Sequence, residues 1–170
     1  EEEDLTLLNW AKELGCNYVR LAHYPHNEKM VRLAEKMGLM VWSEIPVYWT
    51  IQWENKDTYQ NAHNQLMEMI ERDQNRAAVI IWSIANETPH GEARDRFLSN
   101  LAKAAREKDN SRLLSMAMER SDKSATVLSI QDKMSEYVDI ISCNQYLGWY
   151  DGLNEKIDRV RWEVDYEKPL

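Results

Sequence analysis

Short apolar runs alternate along the chain with segments in which apolar residues recur every three or four positions. The runs predict five strands, over 17–22, 39–45, 79–85, 113–118 and 138–143. The spaced positions predict helices before the first strand, after the fifth, and between each consecutive pair from the first strand to the fourth. Short strands that alternate with helices are typical of a parallel α/β architecture.

Residues that begin and end helices support these assignments. Asn27 is expected to cap the second helix, and Asp57, with Gln60 three residues later, resembles a capping box at the start of the third. Gly15 and Gly38 follow the last apolar positions of the first two helices, where glycine commonly ends a helix. The helix predicted after the fifth strand carries Leu153, Ile157, Val160 and Val164.

The third run, Val79–Glu87, is almost continuously apolar until it ends in Asn86 and Glu87. A strand that is apolar on both faces is expected inside a parallel sheet that is covered on each side. No glycine-rich phosphate loop follows any of the five strands, which argues against a nucleotide-binding doubly wound sheet. The sequence therefore favours a (β/α)8 TIM barrel, in which polar residues at the C-terminal ends of the strands form the site.

A complete barrel of this kind needs about 250 residues, whereas this chain has 170. The chain begins with a helix and stops at Leu170, just after Lys168 and Pro169, where a further strand would start. We therefore expect residues 1–170 to be a fragment of a TIM-barrel domain that supplies strands two to six and the intervening helices. One strand would be missing before it and two after it.

Composition narrows the class of partner. The net charge of −8 argues against nucleic acid, whose binding proteins carry a basic face. No apolar run approaches the roughly 20 residues that span a bilayer, and the acidic start is unlike a signal peptide, so we expect no membrane partner. The compartment, cytoplasmic or periplasmic and secreted, stays open. Seven Trp and eight Tyr against a single Phe favour rings with a polar group, which suit the faces of sugars.

Polar side chains lie at the C-terminal end of every predicted strand. Taken singly, such residues are usually surface groups or satisfied core groups. Five strands in succession that end in the same way indicate one site, because these ends converge in a barrel. The residues concerned are Arg20, His23, Ser43, Glu44, Asn86, Glu87, Glu119, Arg120, Asn144 and Tyr146.

The chemistry of these strand ends suits an uncharged or weakly acidic polyol. Hydrolysis of a glycosidic bond requires two carboxyl groups, one as general acid and the other as nucleophile or base. Glu87 is the preferred acid because it follows an apolar strand, where burial favours the protonated form of a carboxyl group. Asn86, beside it, is expected to hydrogen-bond a sugar hydroxyl.

Four motifs in order resemble the barrel domain of glycoside hydrolase family 2, which includes β-galactosidases and β-glucuronidases. They are NYVRLAHYP over 17–25, GLMVWSEIP over 38–46, RDQNRAAVIIWSIANE over 72–87 and NQYLGWY over 144–150. The resemblance covers nearly the whole chain. It implies a retaining, exo-acting glycosidase that hydrolyses terminal β-linked sugars, with a β-glycoside as substrate and with no cofactor or metal ion.

The resemblance also implies roles for single residues. Glu87 falls on the general acid/base, and Asn86 falls on the amide that contacts the sugar 2-hydroxyl. His23 matches a histidine of the substrate pocket, and Tyr146 matches the tyrosine that contacts the nucleophile. We expect the other substrate-binding residues to be Arg20, Glu44, Asn144 and Trp149.

The nucleophile of the family is a glutamate in the strand that follows the Lys-Pro pair matched by Lys168 and Pro169. It would lie beyond Leu170, and the resemblance also implies β-sandwich domains that precede the barrel. Glu44 and Glu119 do not match the nucleophile's position. We therefore expect the isolated segment to be inactive, and self-association of identical chains stays open.

Two alternatives remain at this stage. Glu44, Glu87 and His23 could instead ligate a divalent cation in a metal-dependent barrel enzyme, although the chain has no His-Glu-x-x-His motif. The segment could also bind carbohydrate without hydrolysing it. The sequence does not distinguish galactose, glucuronate and mannose as the sugar.

Overall fold

The computed structural model describes residues 2–124, 126–150 and 158–164. Its helices are α1 (Glu2–Glu13), α2 (Glu28–Lys36), α3 (Lys56–Asp73) and α4 (Glu92–Lys108). Its strands are β1 (Tyr18–Leu21), β2 (Met40–Glu44), β3 (Val79–Asn86), β4 (Leu113–Met118), β5 (Ser121–Ser124), β6 (Val127–Ile130), β7 (Ser142–Cys143) and β8 (Arg161–Val164), with a 3-10 turn over Lys133–Glu136. Among these residues, no helix combines the length and the apolar character that crossing a bilayer demands.

Five strands form one parallel sheet in the order β1, β2, β3, β4, β7, which is their order along the chain. Helices α2, α3 and α4 connect the first four of these strands in turn. Successive parallel strands with helical crossovers form part of a TIM barrel. The predicted fold class, a partial (β/α)8 barrel of five consecutive strands, is confirmed.

Strand β3 is buried on both of its faces, as its continuous apolar run predicts. Trp82 is 1% exposed and its indole Nε1 donates to Asp109 Oδ2 at 2.9 Å, near the end of α4. The next residue, Ser83, donates its Oγ hydrogen to Glu44 Oε2 at 2.8 Å, on the side where the site lies. The helices cover the sheet through one core, to which they contribute Val31, Ala34, Leu66, Ile70, Leu98 and Leu101.

The fifth strand of the sheet is shorter than predicted. Only Ser142 and Cys143 of the predicted 138–143 pair with β4. Before them, the Asp139 backbone N–H donates to Leu114 O at 2.8 Å, and the Asp139 carboxylate accepts from Leu114 N at 2.7 Å. Because this side chain takes the place of a backbone acceptor, the regular ladder begins three residues later.

A second, smaller sheet joins β5, β6 and β8. Strand β6 pairs antiparallel with β5 and parallel with β8. The prediction of one helix through Leu153, Ile157, Val160 and Val164 is therefore wrong at its C-terminal end, where Arg161–Val164 is a strand; Leu153 and Ile157 lie outside the described residues. The edge of β6 offers this segment a ladder of backbone hydrogen bonds, and Trp and Val are common in strands.

The helix caps differ from the prediction at one position. Asn27 caps α2 as expected, and its side chain accepts from Met30 N at 2.9 Å. At α3 the cap is Asn55, whose Oδ1 accepts from Asp57 N at 2.8 Å, so Asp57 lies inside the first turn. An extended residue whose side chain accepts from the next backbone N–H groups defines an N-cap, and Asn55 has that conformation.

Candidate active site

The C-terminal ends of β1, β2, β3 and β7 bring Glu44, Asn86 and Asn144 into one hydrogen-bonded cluster around Arg20. Ser43, also predicted at this end of the sheet, is buried, and its hydroxyl has no hydrogen-bond partner among the described residues. Arg20 lies at the centre of the cluster. Its Nε donates to Glu44 Oε2 at 3.0 Å and its Nη2 donates to Glu44 Oε1 at 2.9 Å, which makes a bidentate ion pair. The same guanidinium donates to Asn86 Oδ1 at 2.7 Å and to Asn144 Oδ1 at 2.5 Å. Arg20 thereby connects the end of β1 to the ends of β2, β3 and β7.

Glu44 is completely buried and surrounded by donors. Besides Arg20, its carboxylate contacts Trp42 Nε1 at 2.8 Å, Ser83 Oγ at 2.8 Å and His23 Nδ1 at 3.0 Å. The contact with Glu44 fixes which nitrogen of His23 faces the carboxylate, and the ring itself is 44% exposed. Glu44 therefore orients Arg20 and His23 from inside the sheet core, and its own carboxylate is not exposed to a ligand.

The Asn86 amide has a defined orientation. Its Oδ1 accepts from Arg20 Nη2 at 2.7 Å and from Asn144 Nδ2 at 2.9 Å. Two donors at the oxygen leave the amide NH2 on the opposite side, where it helps to lower the pKa of Glu87 by hydrogen bonding. Asn86 thus presents a donor to the space around Glu87.

A break in the register of β3 brings Asn86 into the site. Ser83 and Asn86 are three residues apart, so regular alternation would point them to opposite faces. The pairing of β3 with β4 shifts between these two residues. The irregularity lets Ser83 contact Glu44 while Asn86 contacts Arg20.

Glu87 leaves the strand in the left-handed region, with φ +46°. Its backbone N–H donates to Ala117 O at 2.8 Å, which fixes the residue to β4. Trp49, on the loop after β2, also has a positive φ, +54°, and its backbone N–H donates to Asn86 O at 3.1 Å. Both side chains line one cleft of about 560 Å³, together with Pro89, Glu119, Arg120 and Tyr146.

The Glu87 carboxylate accepts a hydrogen bond of 2.7 Å from the Tyr146 hydroxyl. Burial, the largest single influence, raises the pKa of Glu87, as the sequence predicts. The side-chain donors Tyr146, Asn144, Trp49 and Asn86 together outweigh burial, and the pKa lies below its usual value. Burial by itself thus favours the protonated acid as predicted, but the hydrogen-bond donors, which the sequence prediction did not include, reverse the net shift.

Tyr146 keeps its proton in this arrangement. Burial and the adjacent Glu87 carboxylate both raise the pKa of the phenol, so the hydroxyl stays a donor at neutral pH. The family resemblance implies a contact of Tyr146 with the nucleophile, whereas the hydroxyl here donates to Glu87. A phenol has one proton to donate, so it can serve one carboxylate at a time.

Trp149 is the predicted site residue that lies apart from the cluster. Its side chain is 77% exposed and does not line the cleft beside Glu87. Its ring lies 5.9 Å from that of Tyr150, which in turn lies 5.3 Å from Tyr146. Trp149 thus continues a row of aromatic rings that leads away from Glu87.

Sequence reasoning missed Trp49, Trp42 and Ser83 as members of the site. Residues 47–55 include Tyr48, Trp49 and Trp53, but no feature of the sequence distinguishes Trp49 as the ring beside Glu87. Trp42 and Ser83 lie inside apolar strands, and their contacts with Glu44 appear once the strands are paired. The two-residue spacing of Trp42 and Glu44, which places both on one face of β2, is the available signal.

The arrangement lends no support to a metal centre at Glu44, Glu87 and His23. Over residues 2–124, 126–150 and 158–164, no group of three or more His, Cys, Asp or Glu side chains is placed to hold a metal ion. Both oxygens of Glu44 already accept from nitrogen and hydroxyl donors.

The fold is part of a parallel α/β barrel, and its strand ends carry a carboxylic acid, an amide and aromatic rings. These features are typical of the glycoside hydrolases that have a barrel fold. Residues 2–170 match the family described as "Glycosyl hydrolases family 2, TIM barrel domain", and the chain belongs to this family.

Two proteins that this chain resembles are named as β-glucuronidases. The enzyme of Chlorocebus aethiops is 32% identical over 179 residues, which cover 99% of this chain and 26% of that protein. The enzyme of Streptococcus agalactiae is 30% identical over 171 residues, covering 88% of this chain and 27% of the relative. This chain thus spans about a quarter of the length of these relatives.

A solved structure has the same fold. An FMN-binding β-glucuronidase from Facaelibacterium prausnitzii L2-6 superposes with a TM-score of 0.78 and 25% identity. The match covers 96% of this chain and 26% of that one.

Proposed function

We propose that the protein is a retaining, exo-acting β-glycosidase of the β-glucuronidase type, with Glu87 as its general acid/base. The observation that carries this proposal is the Glu87 carboxylate itself, held at a strand end in an open cleft beside the Asn86 amide. The relatives named as β-glucuronidases make a terminal β-glucuronide the first candidate substrate. A β-galactoside is the second candidate that the family resemblance implies.

In the proposed reaction, a glutamate nucleophile attacks the anomeric carbon while Glu87 gives its proton to the glycosidic oxygen. The bond from the anomeric carbon to that oxygen breaks, the alcohol leaves, and a glycosyl ester forms on the nucleophile. Glu87, now a carboxylate, takes a proton from water as the water attacks the same carbon, and the ester bond between that carbon and the nucleophile breaks. The sugar is released with its original configuration, and both carboxyl groups return to their starting states.

The proposed nucleophile lies beyond Leu170, so residues 1–170 are a fragment of the catalytic barrel and have no turnover alone. Glu44 is unsuited to the role because it is completely buried and its oxygens already accept several hydrogen bonds. A nucleophile in a retaining enzyme stands about 5–5.5 Å from the acid. A negative charge at that distance raises the pKa of Glu87, and this opposes the lowering by its neutral donors.

The other side chains of the cluster would bind and orient the sugar. We propose that the Asn86 amide N–H donates to a hydroxyl of the sugar next to the bond that breaks, and that His23 and Asn144 contact further hydroxyls. Arg20 and Glu44 would act as positioning residues, since their mutual ion pair also holds His23 and Asn86. Trp49 and Trp149 would offer ring faces to the sugar and to the group that leaves.

Hydrolysis of 4-nitrophenyl glycosides by the complete enzyme tests this proposal. We expect kcat/KM to be highest for the β-glucuronide, low for the β-galactoside and undetectable for the α-glucuronide. Proton NMR of the first product should show the β-anomer before mutarotation. The α-anomer as first product would contradict the retaining mechanism, and a preference for the galactoside would favour the second candidate.

A further inference from the structure

The residue that follows Glu87 is held by a buried ion pair. Thr88 is completely buried, and its Oγ1 accepts a hydrogen bond from Arg94 Nε at 3.0 Å. Arg94 lies in the first turn of α4 and is 1% exposed. Its Nη1 and Nη2 donate to Asp132 Oδ1 and Oδ2 at 2.7 and 2.6 Å, and Nη1 also donates to Asp95 at 2.9 Å. We call Thr88, Arg94 and Asp132 the Arg94 clamp.

Asp132 connects the clamp to a second part of the site. Its Oδ1 accepts from Met134 N at 2.9 Å and so begins the 3-10 turn that precedes β7. The chain then continues to Asn144 and Tyr146, two of the donors that surround the Glu87 carboxylate. One guanidinium therefore joins the segment that carries Glu87 to the segment that carries two of its four side-chain donors.

Glu87 needs such support because its backbone is strained. A non-glycine residue with positive φ persists where neighbouring groups fix it on both sides. On the N-terminal side, the Glu87 N–H donates to Ala117 O at 2.8 Å. On the C-terminal side, the hydrogen bond from Arg94 to Thr88 supplies the anchor.

We propose that Arg94 is a positioning residue for proton transfer, acting through Thr88 to set the direction of the Glu87 carboxyl group. The proposal rests on the acid/base role proposed for Glu87. A general acid must stand within hydrogen-bond reach of the oxygen that it protonates. A displacement of about 1 Å at a catalytic group can lower the rate about 10²-fold.

Replacement of Thr88 in the complete enzyme tests the clamp more cleanly than replacement of Arg94. Loss of Arg94 would remove the bidentate guanidinium from the buried Asp132 carboxylate, and breaking a buried ion pair destabilises the fold as a whole. Thr88→Val keeps the shape of the side chain and deletes the acceptor, whereas Thr88→Ser keeps the hydroxyl. Thr6→Val is the matched control, because it deletes an exposed threonine hydroxyl on α1.

The readout is kcat/KM for two β-glycosides, one with a poor leaving group and one with a good leaving group. We expect Thr88→Val to lower the value for the poor leaving group by about 10²-fold and to change the value for the good one far less. Thr88→Ser should keep most of the parent kcat/KM for the poor leaving group, and Thr6→Val should leave both values unchanged. A general loss of folded enzyme would lower the apparent kcat/KM for both substrates equally.

Glu87→Gln, measured beside these variants, distinguishes a failure of the clamp proposal from a failure of the acid/base proposal. If Glu87→Gln affects the poor leaving group selectively and Thr88→Val does not, the role of the clamp is overturned while the acid/base assignment stands. The role of the clamp is also overturned if Thr88→Val lowers kcat/KM equally for both substrates. It is overturned as well if Thr88→Ser does not restore the kcat/KM for the poor leaving group. If Glu87→Gln lowers kcat/KM equally for both leaving groups, the acid/base role of Glu87 is contradicted. The role proposed for the clamp is then contradicted as well.

Discussion

Trp49 and Glu87 lie at the same cleft, and each adopts a backbone conformation that few non-glycine residues take. Their φ angles are +54° and +46°. Such conformations cost of the order of 1–3 kcal/mol and are concentrated at functional sites. Backbone hydrogen bonds from Trp49 to Asn86 and from Glu87 to Ala117 hold both residues in place. The strain is thus located where two side chains must be aimed at one space.

The Tyr146→Phe variant tests how the protonation of Glu87 is controlled. It removes the 2.7 Å donor to the carboxylate, and loss of a donor to the ionised form raises the pKa of Glu87. The alkaline limb of kcat/KM against pH, which reports loss of the catalytic proton, should therefore move to higher pH. The measurement is a pH–rate profile of the complete enzyme.

Tyr150→Phe is the control for this variant, since its ring lies in the same loop and is 76% exposed. We expect its profile to match that of the parent enzyme. A shift of the acid limb in Tyr146→Phe, with the alkaline limb unchanged, would show that the phenol serves the nucleophile instead of Glu87.

At the scale of elements, hydrophobic patterning was enough to predict the bounds of β3 and β4 to within one residue. The predicted 113–118 coincides with β4, and β3 begins at Val79 as predicted and extends one residue further, to Asn86. The register shift in β3 could not be predicted, because Ser83 and Asn86 reach the same site through an irregularity that leaves no local trace in the sequence. The site residues were found by their chemical type and their position at strand ends.

The elements that sequence reasoning missed depend on contacts between distant segments. Strand β7 begins late because Asp139 bonds the backbone of Leu114, 25 residues earlier. Strand β8 forms on the edge of β6, although apolar spacing over 153–164 predicts a helix. Short segments take their structure from their partners, and those partners are not visible in local periodicity.

The turn between α4 and β4 makes a prediction about acid stability. Burial on its own would raise the pKa of Asp109. Hydrogen bonds from the Ser111 hydroxyl and backbone N–H, from Trp82 and from Arg112 lower it to about 2. An unfolded aspartate titrates near 3.9. Since the folded pKa is depressed, the stabilisation by Asp109 is present above about pH 4 and is lost as the pH falls through about 2.

The Asp109→Asn variant should therefore be less stable than the parent at pH 7, and the difference should shrink as the pH falls from 4 to 2. Urea unfolding of both proteins at several pH values measures the free energy of unfolding. A difference that stays constant down to pH 2 would mean that the charge of Asp109 contributes nothing to stability.

At the scale of the whole molecule, the sheet supplies five strands of an eight-stranded barrel. The outer edges of β1 and β7 have no strand partner among the described residues, and open edges are sites where further strands pair. Helix α1 exposes Leu7 at 53% and Trp10 at 57%, and Leu14, the residue after the helix, is 83% exposed. Both features fit the proposal that residues 1–170 work inside a larger enzyme, whose relatives are about four times as long.

The most direct test of the account is the leaving-group dependence of Glu87→Gln in the complete enzyme. The central claim is that Glu87 gives its proton to the departing oxygen, and an acid matters as much as the leaving group needs that proton. We predict that kcat/KM falls about 10²- to 10⁴-fold for a β-glycoside with a poor leaving group and far less for one with a good leaving group. Equal losses on both substrates would contradict the claim and remove Glu87 from the acid role.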